Sequence, residues 1–182
     1  LYIGNYEDFF ELEWVIVYLS STGVTAGIFV GYTTAGEPVT IRNVIVDNAG
    51  YFAFQSFDGG LAYTLNLENC IGIARRGGGY RAFYMDGKPS TANLRNCTAY
   101  YAGDGHGIQN AVCTNCIAIG ANNRTAYYNS TCTGDYNISG DQSDGSDTTA
   151  PFAGDSPGHS IFNATAAGLF ADITDTAEDL RL

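Results

Sequence analysis

Charged residues are scarce in this sequence, and basic residues are the scarcest. Only 15% of the 182 residues are charged, and 19 acidic against 8 basic side chains give a formal net charge of −11. Nucleic acids and anionic membranes are bound by basic surfaces that neutralise their phosphates. We therefore expect neither a nucleic acid nor a membrane as a partner.

Long apolar runs are also lacking. No stretch of about 18 apolar residues is present, so we predict no transmembrane helix, and no segment has the pattern of a signal peptide. Because the sequence starts at Leu1 rather than at Met, we interpret it as a processed or truncated piece of a longer protein. Its length is that of a single domain with one continuous core.

A repeat is the main feature that the sequence does contain. Four segments share apolar residues at their first and third positions, Asn at the fifth, and Val or Cys at the sixth: VTIRNVIVD from Val39, LNLENCIGI from Leu65, ANLRNCTAY from Ala92 and AVCTNCIAI from Ala111. The Asn recurs after 26, 27 and 19 residues, at Asn43, Asn69, Asn96 and Asn115. Repeats of this length are typical of solenoids, and the apolar alternation predicts β-strands.

The Asn in each segment predicts a bend between two strands. Asn adopts the left-handed backbone region more readily than most residues, and stacked Asn side chains can hydrogen-bond to one another. The repeated steps, from Val39 to Ile138, resemble right-handed parallel β-helix proteins of the pectate-lyase-like fold. The resemblance implies an all-β, single-stranded helix with three strands per coil and an Asn ladder between the second and third strands. An antiparallel β-sandwich with Asn-rich turns is the alternative.

Further strands are predicted outside the repeated segments. Residues Phe10–Val17 are interpreted as one strand in which Leu12, Trp14 and Ile16 share a face. We assign residues 1–148 to the coils. Residues 149–182 belong to the same domain and resemble the endings of phage and environmental β-helix proteins, with a loop, a short helix and a closing strand. Such a segment would cap the open end of the last coil.

The five Cys residues are interpreted as buried core thiols. Cys70, Cys97 and Cys116 each follow a repeated Asn, Cys113 falls in an apolar column, and Cys132 lies near the next coil. The spacing from Cys113 to Cys116 also matches half of a redox or zinc motif, but no second pair accompanies it. We therefore predict no metal there, with disulfides between stacked coils as an alternative to free thiols.

One candidate catalytic site surrounds His106. The step Gly105-His106-Gly107, preceded by Asp104, resembles a motif of polygalacturonase-like glycosidases, which need two carboxylates at the glycosidic bond. The paired Asp and the Arg-x-Lys step of that family are missing here. A glycine-rich turn that enters a strand is the alternative interpretation.

A second candidate site combines Asp86 and Arg81 with Arg75 and Arg76. A polysaccharide lyase needs a base near the proton that it removes and a cation that neutralises the uronate carboxylate. These residue types meet both needs, although they also suit solvated turns.

Calcium is the one cofactor for which the sequence offers candidates. Asp135, Asn137 and Asp141 follow the spacing of a calcium loop, but the twelfth position is Ser146 rather than Glu. We therefore predict no firm cofactor and treat Ca²⁺ as an alternative. Tyr side chains near strand ends are interpreted as an exposed carbohydrate-binding face or subunit interface; they are Tyr51, Tyr63, Tyr80, Tyr100, Tyr101, Tyr127 and Tyr128.

The function that these features favour is structural. We expect a non-catalytic protein of a virion surface, a capsid decoration or a spike-type β-helix, which forms a homotrimer within a larger assembly and contacts glycans. The resemblance of the tail, the incomplete catalytic motifs and the acidic, charge-poor composition motivate this expectation. The alternative is an extracellular lyase, glycoside hydrolase or binding module that acts on acidic polysaccharide.

Overall fold

The computed structural model describes residues 1–3, 10–20, 23, 25–31, 38–48, 50–57, 63–75, 80–85, 91–101, 106–120, 127–128 and 132–139. Its eighteen strands, numbered in chain order, form three sheets. Residues 149–182, the predicted capping segment, lie outside the described residues. In the part that is described, no helix has the length and apolar character needed to cross a membrane.

Each sheet takes every third strand. Sheet A contains β1 (Tyr2–Ile3), β4 (Ala26–Gly31), β7 (Phe52–Phe57), β10 (Arg81–Met85), β13 (His106–Gln109) and β16 (Tyr127–Tyr128). Sheet B contains β2 (Phe10–Glu13), β5 (Pro38–Arg42), β8 (Thr64–Glu68), β11 (Thr91–Arg95), β14 (Val112–Thr114) and β17 (Thr133–Asp135). Sheet C contains β3 (Ile16–Leu19), β6 (Ile45–Asn48), β9 (Ile71–Ala74), β12 (Thr98–Tyr101), β15 (Ile117–Gly120) and β18 (Ile138–Ser139).

All neighbouring strands are parallel, and each pair lies one coil apart in the chain. The protein is therefore a right-handed parallel β-helix with three strands per coil, as the sequence predicted. The antiparallel sandwich is wrong, because a sandwich of hairpins pairs strands in opposite directions. The repeated segments stack in the predicted register, with Leu65 beside Ala92 and Leu67 beside Leu94.

The corner between sheets B and C contains two residues in every coil, and the first of them has a positive φ. The φ angles are 58° at Trp14, 55° at Asn43, 53° at Asn69, 53° at Asn96, 56° at Asn115 and 59° at Tyr136. The predicted Asn ladder is thus confirmed. It is also longer than predicted, because an aromatic residue takes the Asn position in the first and last coils.

The first coil corrects the prediction of a single strand over Phe10–Val17. Its corner at Trp14 separates β2 from β3 and shifts the phase of the apolar alternation. Leu12 therefore packs against the core together with Val15 and Val17. Trp14 and Ile16 point outward instead, with 78% and 74% of their surface exposed.

The connections between sheets A and B differ in length from coil to coil. Residues 58–63 join β7 to β8, residues 86–90 join β10 to β11, and only Asn110 and Ala111 join β13 to β14. Asn110 turns the chain with a φ of 58°. The short connection explains why Asn115 follows Asn96 after 19 residues, while its strand still pairs in register with β11.

The core is a set of columns that run along the helix axis. Val39, Leu65 and Leu94 are among its fully buried members, and the rings of Phe54 and Phe83 stack with their centroids 4.8 Å apart. The expectation that all the named Tyr side chains are exposed is wrong. Tyr63, Tyr100 and Tyr101 are buried, because their coils place them on inward or covered faces.

The thiols occupy the core as predicted. All five Cys are free and buried in the described residues, and Cys97 Sγ donates to the carbonyl oxygen of Leu67 at 3.4 Å. Burial raises the pKa of the Cys97 thiol, and hydrogen bonding with Cys116 and Cys70 raises it further. No group of three or more His, Cys, Asp or Glu side chains suited to a metal is found among the described residues.

Candidate functional site

Two of the predicted catalytic residues meet on the outer face of sheet A. Arg81 and His106 begin neighbouring strands and are register partners. The Arg81 guanidinium lies 4.6 Å from the centroid of the Tyr84 ring, a distance at which a cation is attracted by the ring face. Asp86 and Asp104, the predicted acidic partners, lie outside the described residues, so the catalytic roles of all four residues stay predictions.

Aromatic and amide side chains surround this pair. The Phe52 and Tyr84 rings stack with centroids 4.7 Å apart, and Tyr51 meets Tyr80 edge-on at 4.2 Å. Gln109 pairs with Tyr84 in the register and is only 8% exposed. Its Oε1 atom accepts no hydrogen bond from the part of the chain that the structure describes. The face therefore offers a cation, an imidazole, ring faces and an open amide acceptor.

Arg75 has a different role from the one predicted beside Arg81. Its Nε and Nη2 atoms donate to Asp47 Oδ1 and Oδ2 at 2.6 and 2.7 Å. This two-pronged ion pair is 15% exposed on each side and links the second coil to the third. Arg75 thus stabilises the stack, while Arg76 lies outside the described residues.

The predicted calcium ligands are only partly described. Asn137 Oδ1 accepts a hydrogen bond from the Cys116 amide at 2.9 Å, and its Nδ2 donates to the Cys113 carbonyl oxygen at 3.0 Å. Asn137 is 1% exposed, and these bonds join the last two described coils. Asp141 and the side chain of Asp135 lie outside the described residues, so the calcium site stays a prediction.

The B–C corner carries two grooves that sequence reasoning missed. The first, here called the Trp14 groove, has a volume of about 340 Å³ and is lined by Trp14, Ile16, Asn43, Ile45, Asn69 and Ile71. The second, the Tyr136 groove, has a volume of about 200 Å³. The side chains that match those of the Trp14 groove are Tyr136, Ile138, Asn115, Ile117, Asn96 and Thr98.

The ladder amides are bonded in two pairs, one in each groove. Asn69 Nδ2 donates to Asn43 Oδ1 at 3.2 Å, and Asn115 Nδ2 donates to Asn96 Oδ1 at 2.7 Å. Neither groove is lined by a charged side chain. The signal for both aromatic residues was in the sequence, because Trp14 follows Leu12 by two positions, as Asn43 follows Ile41.

The identity of the chain rests on its architecture. Its strands, their parallel register and the two-residue corner recur through six coils. No family model, curated protein or solved structure matches this chain. Its description as a right-handed parallel β-helix with three strands per coil comes from the strands and their register.

Proposed function

We propose that this chain is a non-catalytic structural protein of a larger assembly, a capsid decoration or spike on a virion surface, and that it works as a trimer. A stacked coil provides length and stiffness, because every unit packs against its neighbours along one axis. The described core supports this role, since its columns continue from coil to coil without a break in register.

The end of the first coil carries the proposal. Strands β1, β2 and β3 are the terminal strands of their sheets, and free strand edges pair readily with another chain. The interior residues of this coil, among them Leu12 and Val17, are only partly buried, whereas Ile41 and Val46 of the next coil are fully buried. An apolar end with free edges is suited to docking against another component.

The test uses a charge placed on this end. We expect the tagged chain, expressed in its source organism, to sediment with virus particles in a density gradient. Leu12→Lys should lower its incorporation by about tenfold, since Lys opposes apolar docking. Val112→Lys is the matched control, because Val112 is 39% exposed on sheet B away from the end, and it should leave incorporation unchanged.

The mass of the purified chain, measured by light scattering, tests the trimer. A monomer that associates with no particle would contradict the proposed function. So would equal incorporation of the Leu12→Lys and wild-type chains, provided that circular dichroism shows both to be folded.

A second candidate function rests on the adjacency of Arg81 and His106 on sheet A. In this alternative the chain binds or cleaves an acidic polysaccharide, with Arg81 facing a uronate carboxylate and His106 as the base. Purified protein would be assayed on a panel of uronate polymers with and without Ca²⁺. Activity that survives both His106→Ala and Asp104→Ala, or no activity on any polymer, removes these residues as catalysts.

A further inference from the structure

The Trp14 and Tyr136 grooves repeat one arrangement at opposite ends of one corner. Each has an aromatic ring at a ladder position, a bonded pair of Asn amides and aliphatic side chains that continue along sheet C. We infer that each groove binds a ring of a neutral saccharide. This inference is independent of the proposed role in an assembly.

Neither the local backbone nor the core accounts for the aromatic residue in the first groove. Trp14 has a φ of 58°, a region that favours Asn and is unfavourable for a bulky side chain. An Asn at this position would extend the ladder without that cost. The side chain is also 78% exposed, so it contributes little to the core. An exposed ring held in an unfavourable backbone conformation fits a ligand-binding residue.

The amides supply polar partners for hydroxyl groups. Within each pair one bond joins the two Asn residues, which leaves Asn43 Nδ2 and Asn69 Oδ1 in the first groove. In the second groove it leaves Asn96 Nδ2 and Asn115 Oδ1. These four atoms make no hydrogen bond to the described residues. Each groove therefore presents one donor and one acceptor, and a sugar hydroxyl can pair with either.

The other lining residues select for a neutral, amphipathic ring. Ile16, Ile45 and Ile71 form an apolar floor in register with one another, and an aromatic face packs well against aliphatic C–H groups. With no charged side chain in the lining, nothing there would compensate a desolvated carboxylate. A saccharide without acidic groups is therefore favoured over a uronate.

The spacing of the grooves suits one linear chain. The central Asn of the first groove is Asn43 and that of the second is Asn115, three strand spacings along sheets B and C. At about 4.8 Å per spacing this distance is roughly 14 Å. A short oligosaccharide that runs along the helix axis can therefore occupy both grooves.

The test exploits the single Trp of the chain. The full-length protein would be titrated with cellohexaose, mannohexaose and hexa-N-acetylchitohexaose, and with hexagalacturonate as the charged control. We expect a saturable blue shift of Trp14 emission with at least one neutral probe and none with the uronate. No shift with any neutral probe at millimolar concentration would overturn the inference. A shift that depends on protein concentration alone would also overturn it, because it would indicate a second copy in the groove.

Variants then assign the sites by calorimetry. Trp14→Asn and Tyr136→Asn place at each corner the residue that its φ favours, so both should fold. Each should weaken binding of the neutral probe by about tenfold or more. Tyr2→Asn is the matched control, because Tyr2 is an exposed aromatic residue of the same coil on sheet A, and it should leave binding unchanged. Binding that survives the double variant Trp14→Asn with Tyr136→Asn would exclude the grooves.

Discussion

At the scale of single residues, the inward face of sheet C is lined by small side chains. Gly72 lies opposite the stacked rings of the core, and a Cβ added to it would lie 2.9 Å from Phe83 Cε2 and 3.2 Å from the Ala82 carbonyl oxygen. Ala99 and Ala118 continue this column in the next coils and are fully buried. The ring of Phe83 thus needs the space that glycine leaves.

Gly72→Ala should therefore overpack the core. We expect it to lower the free energy of unfolding by about 1–3 kcal/mol, measured by urea denaturation. Phe83→Leu provides room, so the added cost of Gly72→Ala should be smaller in that background. Equal costs in both backgrounds would show that Phe83 does not limit this position.

At the scale of elements, ion pairs connect strands of successive coils. Asp47 lies on β6 and Arg75 directly follows β9, and their two short hydrogen bonds hold a partly buried pair across the coil boundary. Removing one member leaves the other charge without its partner in a site where water reaches it poorly. A pair of this kind is therefore costly to break.

Asp47→Ala should lower the free energy of unfolding by about 2 kcal/mol, discounted from a fully buried pair because both side chains retain some exposure. Arg75→Ala should cost a similar amount. In a double-mutant cycle the two costs should not add, since they remove the same interaction. Strictly additive costs in urea denaturation would contradict a coupled pair.

The sequence predicted the elements best where Asn marked the corner. Asn43, Asn69, Asn96 and Asn115 identified four corners and the register, because a residue type suited to positive φ recurred in phase with the apolar columns. Trp14 and Tyr136 lack that preference, so their corners were missed and the first coil was interpreted as one strand.

The candidate site was less predictable than the fold. The pairing of Arg81 with His106 depends on the register of sheet A. The sequence marks that register weakly, since the connections between sheets A and B vary in length. The corner grooves depend on side chains from several coils, which only the stacked structure brings together.

At the scale of the whole molecule, stability should depend on position along the axis. An inner coil is packed on both sides, whereas the first coil has a described neighbour on one side only. Leu94 is fully buried in the fourth coil, and Leu12 is only partly buried in the first. Equal truncations at these positions therefore remove unequal amounts of packing.

Leu94→Ala should lower the free energy of unfolding by about 2–5 kcal/mol, the usual range for a buried Leu. Leu12→Ala should cost roughly half as much or less, because part of its surface is already in water. Urea denaturation followed by circular dichroism would measure both changes. A larger cost at Leu12 would show that the first coil is covered in solution.

The two-residue link at Asn110 and Ala111 has a consequence for how such a protein can change. Strands β13 and β14 keep their neighbours although this link is several residues shorter than the equivalent segments of the preceding coils. Insertions and deletions at that edge of the molecule are therefore neutral for stacking. New surface loops can be acquired, exchanged or lost there while the underlying scaffold stays the same.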